Sequence, residues 1–341
     1  MVNSPHTLIA VPNRTYQAIA RSEIKKIANT VGFSANKLAE IEIIVAEITS
    51  NLVKHTRSGG EIFVKAMTGD TPGVELISID SGPGMESALK MMEDGVSSTN
   101  TMGQGLGAIR RLSDDFDIYS LKEWGTILLS RIYITTPAPV KKKTAEVRVL
   151  MVAKQGESDC GDNYHCSITK ANQLKFILSD GLGHGEQAAI AAKESIKSFL
   201  ENKALPPNDQ IKRIHAAIKS TRGAVINISY VDFTNKQLMY CGVGNISSRI
   251  VTAGKNRSCI SYNGIVGHSV PHTLKNHVLQ WSKTDILIMH SDGLSTRWDL
   301  QKYPMITRHD FSIIAAALYK DHCRKNDDVA IAVIGHNNKK E

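Results

Sequence analysis

Residues 135–144 read Thr-Thr-Pro-Ala-Pro-Val-Lys-Lys-Lys-Thr and show no hydrophobic periodicity. Each proline withholds an amide donor and fixes its own backbone, and three adjacent lysines repel one another. Such a segment belongs neither in a core nor in a sheet. It divides the 341 residues into two blocks, 1–136 and 146–341, with 137–145 as an exposed linker. Each block is long enough to bury a core of its own. The lysine triplet reads as solvated linker rather than as a binding site.

In the first block, apolar residues recur at helical spacing over 16–31 and 36–54, the second run behind a capping candidate, Ser34. Residues 62–67 and 74–80 alternate as half-buried strands do. A glycine-rich loop leads to a short helix near 106–112, and strands over 116–121 and 126–134 close the block. The expected fold class is α+β, with helices on one face of a mixed or antiparallel sheet. The second block is richer in strands, at 147–153, 164–168, 174–179, 224–232, 237–242, 248–251, 286–290 and 329–334. Helices are expected at 186–200, 208–220 and 311–323. Two sheets flanked by helices, an α/β sandwich, is the natural closure, and no internal repeat is visible.

No apolar run approaches the roughly 20 residues of a membrane-spanning helix, and the first residues, Met-Val-Asn-Ser-Pro-His, carry no signal sequence. A cytoplasmic protein is expected. The five cysteines, Cys160, Cys166, Cys241, Cys259 and Cys323, form no C-x-x-C pair and read as reduced thiols. Residues 1–136 carry a net −2 and the remainder a net +10, giving +8 overall. The positive charges are dispersed and lack interleaved aromatics, so a phosphoprotein partner is favoured over nucleic acid.

Three segments of the first block suggest a nucleotide site, although no G-x-x-x-x-G-K-[ST] loop is present. Glu47 and Asn51 are four residues apart on one expected helix face. An Asn carbonyl is a hard oxygen ligand suited to Mg²⁺, and a Glu one turn away can deprotonate or orient a hydroxyl or water. Asp80 ends a strand and opens Asp-Ser-Gly-Pro-Gly-Met. An Asp there can accept the adenine amine, and Gly82 and Gly84 let backbone approach the base. Gly103, Gly105 and Gly107 open a helix whose free N–H groups can bind phosphate. Singly, an E-x-x-x-N pair is most often a solvated helix face and G-x-G-x-G a turn. Their order gives them weight.

In that order, over residues 7–134, they resemble the GHKL ATPase/kinase superfamily, and most of all its small anti-sigma-factor and stressosome switch kinases of the RsbW and RsbT types. The resemblance includes Trp-Gly-Thr at 124–126. It implies Glu47 as catalytic base, Asn51 on Mg²⁺, and Asp80 on the adenine of ATP. Gly103, Gly105 and Gly107 would form a phosphate-covering lid, and Thr126 would close the site. It also implies a Ser or Thr substrate on a STAS-domain antagonist protein.

In the second block four Asp residues stand at strand ends or loops: Asp162 in C-G-D-N-Y, Asp180 in S-D-G-L-G-H-G, Asp292 in H-S-D-G-L and Asp327 in N-D-D-V-A-I. A strand ending in Asp-Gly is commonly a plain turn. Converging carboxylates, however, can hold two divalent ions, which activate water and neutralise a phosphoryl group. These runs, with R-G-A at 222–224 and Y-C-G-V-G-N at 240–245, resemble the SpoIIE-type metal-dependent Ser/Thr phosphatases over residues 146–335, especially the stressosome feedback phosphatases of the RsbX type. The resemblance implies two Mn²⁺ or Mg²⁺ ions. Asp180 would bridge both with the Gly181 carbonyl as a ligand, and Asp162, Asp292 and Asp327 would complete the shells. His165 stands where such phosphatases often have a second acid, and Ala330 where many have Thr. His184 is either an acid candidate or a loop residue.

Three functions remain open on the sequence. The chain could be a bifunctional switch that phosphorylates and dephosphorylates a STAS-domain antagonist, or a phosphatase whose first domain is an ATP sensor. The third is a partner-sequestering module acting on a sigma factor or a phosphatase activator.

Overall fold

The computed structural model of the chain describes residues 4–69, 71–86, 105–135, 144–169, 171–252 and 255–337. Of the linker expected at 137–145, only 144 and 145 are among them. The chain divides into two compact units, Met1–Val140 with Leu300–Lys320, and Lys141–Asp299 with Asp321–Glu341.

The first unit runs β1 (Thr7–Val11), α1 (Tyr16–Val31), α2 (Ala35–Lys54), β2 (Gly60–Met67), β3 (Gly73–Asp80), α3 (Gly105–Leu112), β4 (Asp115–Leu121) and β5 (Gly125–Tyr133). The strands form one sheet in the order β1-β2-β3-β5-β4, antiparallel at every pairing. α1 stops at Gly32, whose left-handed backbone (φ 94°) closes the helix end. α2 starts at Ser34, whose Oγ accepts the Lys37 N–H at 3.3 Å. Ala20, Ile24 and Ala28 of α1 and Ile41, Ile44, Val45, Ile48 and Leu52 of α2 repeat at helical spacing. They pack on Ile62, Val64, Val74 and Leu76 of the sheet. Each isoleucine, leucine and valine among them contributes about 1.5–3 kcal/mol on burial.

Strand alternation sends Phe63, Glu75 and Arg131 to the opposite face. That face is covered by residues 300–320, which lie by sequence inside the second block but fold with the first unit. They contain most of α6 (Phe311–His322). Tyr319 meets Phe63 edge-to-face at 4.8 Å, and Tyr303 meets Trp124 at 5.7 Å. At the centre the Arg131 guanidinium, 1% exposed, donates to Glu75 at 2.6 Å. It also donates to both Asp310 oxygens at 2.8 and 3.0 Å and to Ser312 at 2.8 Å. Burial works against the guanidinium's charge, but Glu75 and Asp310 outweigh it and hold its pKa above the ordinary arginine value. Asp117 receives His309 Nδ1 at 2.8 Å and the Asp310 N–H at 2.7 Å.

The second unit holds two five-stranded sheets, β13-β10-β9-β8-β7 and β12-β11-β14-β15-β6. The strands are β6 (Ala145–Val152), β7 (Asp162–Ile168), β8 (Gln173–Gly181), β9 (Ala224–Asp232), β10 (Gln237–Val243), β11 (Ser247–Thr252), β12 (Lys255–Ser258), β13 (His277–Gln280), β14 (Ile286–His290) and β15 (Val329–His336). Along β8, Leu174, Phe176 and Leu178 enter a core with Leu287, Met289, Ala330 and Ala332 of the other sheet. Ile177 points the other way, with Ile226 and Ile228, onto Phe199, Ile211 and Ile214. Those residues belong to α4 (Glu186–Glu201) and α5 (Pro207–Ala217). This is the expected pair of sheets flanked by helices. Among the described residues no helix is long and apolar enough to cross a membrane.

Candidate functional site

In the first unit, α2 brings Glu47 and Asn51 beneath the start of α3. A methyl group built on Gly105 would lie 2.6 Å from Glu47 Oε2 and 3.9 Å from Asn51 Oδ1. The bare glycine is therefore what lets the helix start so close to the carboxylate. Gly107 is buried on the same helix. Gly103 lies outside the described residues.

Asp80 ends β3, and its Oδ1 accepts the Gly82 N–H at 2.7 Å and the Thr126 N–H at 3.2 Å. Its other oxygen has no partner among the described residues, so one acceptor is locked and one is presented. Burial raises the Asp80 pKa, and the two N–H donors, Lys320 and His55 oppose that rise. Gly84 has φ 66°, and a Cβ there would fall 1.9 Å from the Leu121 carbonyl. Thr126 Oγ1 meets Ser120 Oγ at 2.9 Å, and Ser120 Oγ also accepts the Met85 N–H at 2.9 Å. Asp80, Gly82, Gly84 and Thr126 thus form one cluster. Lys320, which also lies 4.3 Å above the Trp124 ring, had no sequence signal because it is 240 positions from Asp80.

In the second unit, β7 and β8 place Asp162 directly opposite Asp180. Like charges facing each other across a ladder repel. Burial foremost, and then Asp162, Asp292, Asp327 and Asp328, raise the Asp180 pKa well above the carboxylate range. Asp162 is raised likewise, chiefly by burial. Its Oδ2 accepts the Ser291 hydroxyl at 2.7 Å, whereas Oδ1 is buried without a partner among the described residues. Asn245 Nδ2 donates to Asp292 Oδ2 at 3.0 Å. Asp180, Asp292 and Asp327, with Leu182, Gly183 and Asn245, line a cleft of about 430 Å³. Asp162 lies behind that lining. A Cβ on Gly181 would sit 2.1 Å from the Ala188 carbonyl of α4, so only glycine fits there.

Uncompensated carboxylates and an orphaned buried oxygen are the donor set a divalent cation neutralises, so these residues fit such ions. Among the described residues no three His, Cys, Asp or Glu side chains are gathered tightly enough to hold an ion alone. Mg²⁺ ordinarily takes one or two carboxylates and keeps water.

Two further residues escaped the sequence reading. Asp328 accepts the Lys154 and Gly161 N–H groups at 2.8 and 2.9 Å, which fixes the turn entering Asp162. It was masked by its neighbour Asp327. Ser291 accepts the Ala330 N–H at 2.9 Å while donating to Asp162; the adjacent Asp292 was the visible signal. The His165 ring lies tilted against Phe199 with centroids 6.0 Å apart, on the helix side of β7 and away from Asp162. It therefore does not supply the missing second acid. His184 Nδ1 pairs with Glu157 at 2.8 Å on the surface.

Residues 11–131 match the histidine kinase-like ATPase domain family, and residues 170–337 match stage II sporulation protein E (SpoIIE). The chain is 31% identical over 151 residues to the phosphoserine phosphatase RsbX of Bacillus subtilis (strain 168), spanning 43% of this chain and 73% of that protein. It is 30% identical over 107 residues to the serine/threonine-protein kinase RsbT of the same organism, spanning 31% of this chain and 80% of that one. A solved structure from work on the bacterial stressosome superimposes with a TM-score of 0.53 at 27% identity, over 56% of this chain and 98% of the other. RsbX in complex with magnesium shares the fold, with a TM-score of 0.52 at 22% identity, over 58% and 98%.

Proposed function

The chain belongs to the RsbT-type kinase family, with its histidine kinase-like ATPase domain, through its first half and to the SpoIIE and RsbX serine phosphatase family through its second; on that premise we propose a two-way signalling switch. The second unit hydrolyses phosphoserine or phosphothreonine on a STAS-domain antagonist protein, and the first phosphorylates the same class of target with ATP.

The gathering of Asp162, Asp180, Asp292 and Asp327 around one cleft supports the phosphatase half most directly. These carboxylates and the Gly181 carbonyl would hold two Mn²⁺ or Mg²⁺ ions, which supply an activated water and neutralise phosphoryl charge when bound. Ser291 fixes Asp162 through Oδ2 and leaves Oδ1 for a cation. Asn245 orients Asp292 in the same way. Asp328 holds the backbone that delivers Asp162. The phosphorus–oxygen bond to the serine breaks as water oxygen bonds to phosphorus, and the serine oxygen leaves with a proton.

In the first unit, Asp80 presents one oxygen to the adenine amine while Gly82 and Thr126 lock the other. Gly82 and Gly84 keep the base edge clear of side chains. Asn51 would hold Mg²⁺ on the phosphates, and Gly103, Gly105 and Gly107 would cover them. Glu47 takes the proton from the attacking hydroxyl.

The test uses the full chain with purified STAS-domain proteins from its own genome. Label should pass from ATP to a Ser or Thr without Mn²⁺ and be released when Mn²⁺ is added. Glu47→Ala should abolish only transfer, and Asp180→Asn only release. Release without transfer by the wild type would reduce the first unit to an ATP sensor.

A further inference from the structure

The cleft of the second unit is negative wherever its lining is charged: Asp180, Asp292 and Asp327 are opposed by neutral Asn245 and Asn263. A phosphate monoester is itself a dianion near neutral pH. Ions held by these carboxylates would offset their charge, and at the rim the chain adds a cation of its own, Arg222.

A methyl group built on Gly183, which lines the cleft, would lie 3.1 Å from Arg222 Nη1. The guanidinium therefore rests against the cleft wall, and the missing side chain at 183 leaves it room. The backbone carrying Arg222 is pinned on several sides. Thr221 Oγ1 accepts the Gly223 N–H at 3.0 Å. The Gly223 carbonyl accepts the Leu182 N–H at 3.0 Å, and the Arg222 carbonyl meets His268 Nε2 at 2.8 Å. Gly223, at φ 77°, supplies the left-handed turn this needs. Yet the Arg222 side chain is exposed and forms no hydrogen bond or ion pair among the described residues. A surface arginine on a floppy loop would carry no message. One on a held backbone, with no partner for its guanidinium among the described residues and standing beside the cleft, is placed to meet an anion.

We propose that Arg222 is the substrate-binding residue that receives the phosphoryl oxygens of the phosphoprotein at the cleft entrance. The inference rests on the phosphatase reading above and assigns the chain's own contribution to recognising the substrate. Guanidinium suits the role because its planar fork pairs two oxygens at once and keeps its charge at every working pH. Selectivity follows: a dianionic monoester is preferred over its monoanion and over uncharged esters.

The experiment measures p-nitrophenyl phosphate hydrolysis by the full chain with Mn²⁺, and its inhibition by inorganic phosphate, for wild type, Arg222→Ala and Arg222→Lys. Losing a charge-assisted contact to a dianion should raise KM and the phosphate inhibition constant together by about 10-fold or more, with a smaller change in kcat. Lysine should restore part of both, because it keeps the charge but loses the fork. The loss in KM should shrink below the second ionisation of a phosphate monoester, near pH 6. An unchanged thermal midpoint would exclude misfolding, and Arg222→Met offers a bulkier neutral replacement if the alanine variant is unstable. An active wild type with KM and phosphate inhibition within about two-fold in Arg222→Ala overturns the assignment, as does a fall in kcat alone. A wild type that hydrolyses no monoester with either Mn²⁺ or Mg²⁺ overturns the phosphatase reading itself.

Discussion

Replacing Arg131 with Met should release the cover over the first unit's sheet. The guanidinium is 1% exposed, and Glu75 and Asp310 are almost as deeply buried. Methionine keeps much of the volume but takes from Glu75 and Asp310 the cation they share; His6 lies 3.0 Å from Glu75. Breaking one side of a buried ion pair costs about 3–5 kcal/mol, far above the 0–1 kcal/mol of an exposed pair. Because the chain has two units, a single unfolding free energy is ill-defined. Amide hydrogen exchange resolves them. Protection over Gly125–Tyr133 should fall by about two to three and a half powers of ten, while protection over Ala224–Asp232 stays as it was. Asp310→Ala alone should cost a similar amount, and the double variant much less than the sum, since the two share one network. A loss under ten-fold, or an equal loss in both segments, refutes the reasoning.

Mn²⁺ should raise the thermal midpoint of the wild type, by the equivalent of about 2.7 kcal/mol at 100 times its dissociation constant. Asp180→Asn should remove that shift while leaving the metal-free protein at least as stable, because it deletes a buried charge repelled by its neighbours. Gly105→Ala should fold, since the atom it meets is the mobile end of Glu47. The displaced carboxylate should nevertheless lower phosphotransfer by about 10-fold or more, with release unaffected. Burial holds the His290 pKa at about 4, against its ordinary 6.5. Its Nε2 accepts the Trp298 indole N–H at 3.0 Å, which a proton there would break. The stability this neutral ring provides is complete above about pH 6.5 and is lost as pH falls through 4, a change of about 3 kcal/mol. Urea unfolding of the second unit at pH 7 and pH 4.5 should show it in the wild type and show less in His290→Asn.

The helices and most strands were legible because their periodicity is strong: Ile41, Ile44, Val45, Ile48 and Leu52 mark a helix face, and Leu174, Phe176 and Leu178 a strand face. β1, β12 and β13 escaped notice because they are 4 or 5 residues long, too short for a period to register. Asp80 and Thr126 could be grouped only through resemblance, since 46 residues separate them. Ser291 and Asp328 act through hydrogen bonds to distant backbone, which leaves no local pattern. The helix at Phe311–His322 was visible, but its placement against Arg131 was not. Pairings across 179 residues obey three-dimensional packing rather than any spacing in the chain.

That separation has a meaning in time. Synthesis proceeds from the N-terminus at about 5–20 residues per second. Arg131 therefore leaves the ribosome some 9–36 seconds before Asp310, 179 residues later. For that interval β2, β3 and β5 can lie against α1 and α2, and Arg131 can reach Glu75, but Asp310 and Ser312 for Arg131 and Tyr319 for Phe63 have yet to be made. The first unit is finished only when nearly all of the second has been made, so a ribosome stalled anywhere before residue 310 leaves that unit's sheet without residues 310–320 of its cover.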